Sequence, residues 1–218
     1  MRIDEIRLDN VLPDVFVGDS NAPGDIWLAD ITFRRGGIYL VEAESGAGKS
    51  SLCSFIYGNR SDYQGKIFFG SRDIGTLSVA DWCAVRSRNL ALLPQEMRIF
   101  PGLTARENVE IKNSLTGFLT RSRIEEMFAM LGIADRIDTP AARLSVGQQQ
   151  RVAIIRTLCQ PADFIVLDEP VSHLDAQNNA VAARLVAEHA RALGAAVIST
   201  SVGNHLAIED AKVLKLSR

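Results

Sequence analysis

Ala43-Glu44-Ser45-Gly46-Ala47-Gly48-Lys49-Ser50 follows the apolar run Ile38-Tyr39-Leu40-Val41 and precedes a helix-like Ser51-Leu52-Cys53-Ser54-Phe55-Ile56-Tyr57. The order reads as strand, loop, helix. Small residues let the loop turn its backbone N–H groups onto an anion, Lys49 has the reach to meet outer phosphates, and the Ser50 hydroxyl is placed to bind Mg²⁺. That is the chemistry of a P-loop. Ala43 stands where the usual pattern has its first glycine, so the reading rests on Gly46, Gly48, Lys49 and Ser50.

A chain of 218 residues can bury a sizeable core, and its size fits one α/β domain with a lobe inserted. With 24 basic and 26 acidic side chains the net charge is −2, which gives no overall basic field for nucleic acid or an anionic membrane. The three cysteines, Cys53, Cys83 and Cys159, are widely spaced in apolar neighbourhoods and read as buried, reduced thiols of a cytosolic protein. No metal-site spacing is present among them. The opening Met1-Arg2-Ile3-Asp4-Glu5-Ile6 lacks the apolar core of a signal peptide, and no apolar run approaches the roughly 20 residues needed to span a bilayer. Work at a membrane is therefore expected to go through a partner.

Along the chain, Ile3 to Leu8 alternates as a half-exposed strand, Val15-Phe16-Val17-Gly18 suggests another short strand, and Ser20 to Asp25 is a loop by composition. Ile26 to Phe33 reads as a strand before the turn Arg35-Gly36-Gly37. Gly58 stops the helix after the P-loop, Gly65 to Ile74 looks like a hairpin turning at Gly70-Ser71, and Ser78 caps a helix reaching about Arg88. Leu90-Ala91-Leu92-Leu93 is a buried strand ending at Pro94-Gln95. Helical patterns then cover Thr104 to Ser114 and Ser122 to Leu131, the second with Ser122-Arg123-Ile124-Glu125 as a capping box and Ile124, Met127, Phe128 and Leu131 as core. Gln148 to Cys159 and Ala176 to Leu193 are further helices; Phe164 to Leu167, Ala195 to Ser199 and Val213 to Leu216 are strands. The expected fold is α/β: a P-loop core with a mostly parallel sheet, an antiparallel part near the N-terminus and an inserted helical lobe. One domain, 1–218, would comprise a core of 1–95 and 145–218 and a lobe of 96–144.

Four more stretches carry chemistry. Leu144-Ser145-Val146-Gly147-Gln148 is a small-residue turn opening a helix, whose exposed N–H groups suit a phosphate. Phe164-Ile165-Val166-Leu167-Asp168-Glu169 delivers two acids to the carboxyl end of an apolar strand, where ligands of open α/β sheets bind. Gln95 places an amide at another strand end, and Ser172-His173-Leu174-Asp175 follows the acids directly.

Together these stretches resemble the ATP-binding cassette (ABC) ATPases, over nearly the whole chain. The resemblance makes the P-loop a Walker A motif, Gln95 the Q-loop, Leu144 to Gln148 the signature, Leu167-Asp168-Glu169 the Walker B and Ser172 to Asp175 the D-loop. It implies that Ser45, Gly46, Ala47, Gly48, Lys49, Ser50 and Ser51 bind ATP, with Phe16 offering its ring to the adenine in place of the family's usual tyrosine. Mg²⁺ would be held by Ser50, Gln95 and Asp168, and Glu169 would act as general base on the attacking water. It further implies a head-to-tail dimer, homo- or heteromeric, in which Ser145, Gly147 and Gln148 of one cassette meet the nucleotide of the other. Val146 replaces the commoner glycine there, while Ser145 and Gly147 are kept.

One departure bears on activity. The family has a histidine after the strand ending at Thr200, and this chain has Ser201, with His205 four residues on. Serine donates a hydrogen bond but carries no imidazolium charge, so slow hydrolysis or a complete partner cassette is expected. The function implied is the ATP-binding subunit of an ABC transporter, working on integral membrane subunits from the cytoplasmic face of the inner membrane; parts of the chain look most like lipoprotein-release and macrolide-export cassettes. The alternatives are a hydrolysis-impaired regulatory cassette and a non-transport ABC ATPase.

Overall fold

The computed structural model describes residues 2–18 and 24–217. The first half runs β1 (Glu5–Pro13), β2 (Asp30–Arg34), β3 (Ile38–Glu42), α1 (Lys49–Ile56), β4 (Tyr63–Phe69), β5 (Arg72–Asp73), α2 (Val79–Arg88) and β6 (Leu90–Leu93). Three helices follow, α3 (Ala105–Asn113), α4 (Arg121–Met130) and α5 (Val146–Leu158), and then β7 (Phe164–Asp168), α6 (Ala176–Leu193), β8 (Ala196–Ser201) and β9 (Lys212–Lys215).

The strands make two sheets. An antiparallel sheet has the order β2-β1-β4-β5, and a five-stranded sheet, parallel at every pairing, has the order β6-β7-β8-β3-β9. All five residues of β7 are buried, because this central strand is covered on both faces. Alternation sends Phe164 and Val166 into one apolar cluster and Ile165 and Leu167 into the other. The first cluster lies between the two sheets, where α1 contributes the fully buried Leu52, Phe55 and Ile56 against Ile6, Leu8 and Ile67. Each such side chain contributes roughly 1.5–3 kcal/mol by leaving water. The second cluster lies under α5 and α6, and Val109, Ile124, Met127 and Phe128 of α3 and α4 join it.

The parallel order sets up the site. With β3, β6, β7 and β8 running the same way, the P-loop, Gln95, the acids and Ser201 all come off the carboxyl ends of strands, on one edge of the sheet.

Several local expectations are corrected. Val15 to Gly18 is no strand: β1 runs on to Pro13, whose missing N–H and fixed φ end the ladder, and Asp14–Phe16 is a 3-10 turn closed by Val17 N–H on the Asp14 carbonyl. The strand expected from Ile26 starts at Asp30. Ile26 to Ala29 is a turn with Leu28 at φ +59, and its apolar Ile26 and Trp27 are buried beneath the P-loop instead of pairing in a sheet. Helix α5 starts at Val146, two residues before the expected Gln148, and α1 starts at Lys49. The cap of α4 is Thr120, not Ser122. Cys53 and Cys159 are buried free thiols as expected, but Cys83 is exposed on α2. Of the loop expected from Ser20 to Asp25, positions 20–23 lie outside the described residues.

Candidate functional site

The P-loop is built on two left-handed glycines. Gly46 has φ +81 and Gly48 φ +95, values that L side chains resist. At Gly48 space is short as well, since a Cβ there would stand 3.0 Å from the Trp27 ring and 3.1 Å from the Phe16 ring. The Trp27 indole N–H donates to the Ala47 carbonyl at 3.0 Å, so the buried indole braces the turn from below. Gly48 caps α1 without a side-chain hydrogen bond, which leaves the first N–H groups of that helix facing the loop's concave side.

Lys49 is the charge of the site. Only 5% exposed, its Nζ donates to the Glu44 carbonyl at 3.0 Å and lies 3.6 Å from the Glu169 carboxylate. A buried ammonium needs such partners, and an anionic phosphate is a better one than a backbone carbonyl. At the next residue, the Ser50 hydroxyl donates to Gln95 Oε1 at 3.3 Å, which joins the P-loop to the end of β6. Ser51 accepts from the Arg60 guanidinium at 2.9 Å. Ser45 is exposed at the loop's tip. Beside it opens a cleft of about 770 Å³ between Glu44, Ser45 and Ala47 on one side and Val202, Gly203 and His205 on the other.

Asp168 and Glu169 differ in setting. Asp168 is 4% exposed and its Oδ1 accepts from the Thr200 hydroxyl at 2.7 Å, an orientation fixed across the β7–β8 pair. Glu169 stands at φ +50, a strained conformation for a residue with a Cβ. Its N–H donates to the Thr200 carbonyl at 3.2 Å and to the Thr200 hydroxyl at 3.3 Å. On the other side, the Gln150 amide donates to the Glu169 carbonyl and to the Ser172 hydroxyl, each at 3.2 Å. Buried beside Asp168 and Thr200, the Cys53 thiol is pushed well above its ordinary pKa, by desolvation first and the Asp168 charge second, and so stays protonated.

Ser50, Gln95, Asp168 and Glu169 offer hard oxygen donors around one buried ammonium, a set that fits Mg²⁺ held jointly with phosphate oxygens. Among the described residues no group of three or more His, Cys, Asp or Glu side chains is arranged to hold a metal by itself. A magnesium ion shared with its substrate does not need one.

Ser145, Gly147 and Gln148 are not part of this cluster. They open α5, where the Ser145 hydroxyl accepts from Gln148 N–H at 3.2 Å and Gln148 Oε1 accepts from Ser145 N–H at 2.9 Å. This capping box satisfies two end groups and leaves the helix N-terminus facing outward. Phe16 is 7% exposed and packs in the core, so in this arrangement it has no open face for a base. Ser201 is 3% exposed and its hydroxyl has no partner within the described residues. His205 is half exposed, 3.7 Å from the Glu42 carboxylate, and His173 is exposed beside the Ser172 hydroxyl at 3.0 Å.

Sequence reasoning missed Trp27, Thr200 and Gln150. Trp27 and Gln150 act through contacts across the fold and leave no local pattern; Thr200, a hydroxyl at the end of an apolar strand beside the acids' strand, left a faint one.

Residues 29–172 match the model of the family described as "ABC transporter". The lipoprotein-releasing system ATP-binding protein LolD 1 of Caulobacter vibrioides is 33% identical over 192 residues, covering 86% of this chain and 82% of that protein. The methionine import ATP-binding protein MetN of Bradyrhizobium diazoefficiens is 33% identical over 181 residues; the match covers 81% of this chain but only 52% of that protein, about half its length. Among solved structures, dimeric MJ0796, a bacterial ABC transporter cassette, superposes with a TM-score of 0.77 at 23% identity, covering 96% of this chain and 94% of that one.

Proposed function

The chain belongs to the ABC transporter family, and on that premise we propose that it is the ATP-hydrolysing subunit of a membrane transporter, binding MgATP and driving separate transmembrane subunits. One observation carries the reading: Lys49, buried in a glycine turn, lies 3.6 Å from Glu169 while Ser50 hydrogen-bonds Gln95 at 3.3 Å. A phosphate binder, a carboxylate and two neutral oxygen ligands thus meet at one strand edge. No helix of the described residues is long and apolar enough to cross a membrane, which suits a subunit held at the cytoplasmic face by its partners.

In this reading the P-loop N–H groups and Lys49 hold the phosphates. Ser50, Gln95 and Asp168 supply oxygen ligands to Mg²⁺, which when bound offsets the charge on the transferring phosphoryl group. Thr200 keeps Asp168 turned toward the site. Glu169 accepts a proton from the attacking water, and Lys49 moves from Glu169 to the nucleotide, freeing the carboxylate for that task. Ser145 and Gly147 act on the nucleotide of a second cassette, so two chains make a complete site. The helices of 96–144 form a lobe that passes the motion from Gln95 to the membrane subunits, against a core of 1–95 and 145–218.

A second reading is favoured by Ser201, whose buried hydroxyl brings no cation to the phosphates: a regulatory cassette that binds ATP and barely turns it over. Mg²⁺-dependent ATP hydrolysis by the purified chain over a range of concentrations, beside Glu169→Gln, separates the two. Turnover that rises more than linearly with concentration and falls steeply in Glu169→Gln supports the first. ATP binding with no turnover above that control supports the second, and no ATP binding at all overturns both.

A further inference from the structure

Gln150 is 1% exposed, on the α5 face turned toward the end of β7. A buried amide is expected to be hydrogen-bonded, and the interest lies in where the bonds go. Its Nε2 donates to the Glu169 carbonyl at 3.2 Å and to the Ser172 hydroxyl at 3.2 Å, and its Oε1 accepts from His173 N–H at 3.0 Å. All three reach one five-residue turn, 19 to 23 positions away in sequence. That turn begins with Glu169 at φ +50, whose N–H is already held by Thr200. The strained residue is therefore pinned on both sides, by β8 through its N–H and by α5 through its carbonyl. Backbone strain of this kind persists only where the surroundings over-determine it.

We propose that Gln150 is a positioning residue for Glu169: its amide sets the turn that aims the carboxylate, and ties that turn to the helix opened by Ser145. The inference rests on Glu169 being the general base. A second contact strengthens the tie, since a Cβ on Gly147 would come within 2.9 Å of the His173 carbonyl. The first turn of α5 and the segment after the acids thus touch with no side chain between them. A shift of the α5 N-terminus on meeting a partner's nucleotide is transmitted to the base of this chain's own site.

The test compares kcat and KM for MgATP in the wild type, Gln150→Met and Gln150→Glu, each also in a Glu169→Gln background. Gln150→Met keeps the length and removes all three bonds; Gln150→Glu keeps the acceptor for His173 N–H but as a carboxylate cannot donate to Glu169 and Ser172. Both are expected to lower kcat, Gln150→Met by about 10- to 100-fold, while KM stays within about twofold. Neither adds to the loss already present in Glu169→Gln, because a residue acting through Glu169 has nothing left to act on. An undiminished kcat in Gln150→Met, or an equal further loss in the Glu169→Gln background, overturns the inference. Wild-type turnover in Glu169→Gln would instead remove the base and the inference with it. If the chain alone turns over too slowly to compare, amide exchange decides: His173 N–H is expected to exchange at least about tenfold faster in Gln150→Met, with α5 and β8 unchanged as evidence of an intact fold. Unchanged exchange at His173 overturns the proposal.

Discussion

At Gly147 a single hydrogen decides what two segments can do. With no Cβ the α5 N-terminus closes onto the His173 carbonyl, whereas its neighbour Val146, 48% exposed, points away and takes a bulkier side chain without clash. The same contrast separates what the sequence shows from what it hides. Lys49, Ser50, Asp168 and Glu169 are legible because their chemistry lies in the order of the chain, but the burial of Phe16 depends on Gly48 and Trp27 packing against it. No local pattern reports that. His189 is a residue whose consequence shows only in the fold. It is buried beside the Phe118 ring, its Nε2 lacks a partner within the described residues, and burial, with the Arg123 charge second, pushes its pKa down to about 4. The unfolded chain, with an ordinary imidazole near 6.5, then takes up the proton first, so stability is full above about pH 6.5 and falls as the pH drops toward 4. The loss should approach roughly 3 kcal/mol at the foot of that window. Urea titrations at pH 7 and pH 4.5 check it: His189→Leu is expected to be less sensitive to that change than the wild type, and equal sensitivity would show that His189 is not the group responsible.

At the scale of elements, periodicity located the helices and most of the strands, whereas of the caps the sequence reading placed only Ser78. Ser78, Thr104 and Ser145 each close a capping box with the residue three positions on. The failure at α4 has a stated cause. Ser122-Arg123-Ile124-Glu125 has the letters of a box, but Glu125 is already engaged by Arg121 and by Arg106, each at 3.0 Å, and Thr120 accepts from Arg123 N–H at 3.2 Å. Competition from Arg106 comes from α3, so the sequence around Ser122 cannot show it. Thr120→Ala should therefore cost about 1 kcal/mol and Ser122→Ala close to nothing, read as denaturation midpoints at constant slope. Equal losses would return the cap to Ser122. Helix α5 carries a further role: from its far end Arg156 donates to the carbonyls of Met97 and Arg98, which hold φ +56 and +50 just after Gln95. One helix thus holds the strained turns at both polar sides of the site, Gln150 at Glu169 and Arg156 after Gln95.

Over the whole molecule, the two helix ends proposed to meet phosphate lie apart. The α1 terminus belongs to the cluster of Lys49, Ser50, Gln95 and Glu169, while the α5 terminus spends its side chains on its own capping box and faces outward. In the proposed function a single chain presents two half-sites, and a head-to-tail pair would place each opposite its complement. This arrangement predicts complementation. Lys49→Ala removes the phosphate charge from one half, and Ser145→Arg places a bulky side chain on the other, so homodimers of either variant contain no intact site and should lack turnover. In an equimolar mixture half the dimers carry one variant of each kind; one of their two sites then has Lys49 from one chain and Ser145 from the other, both unaltered. Turnover should return to about a quarter of wild type if the sites fire independently. Coupled sites would return less, and a site complete within one chain would return nothing at any mixing ratio. The amount recovered therefore measures how far one site waits on the other, the coupling that a line from Ser145 through Gln150 to Glu169 would carry.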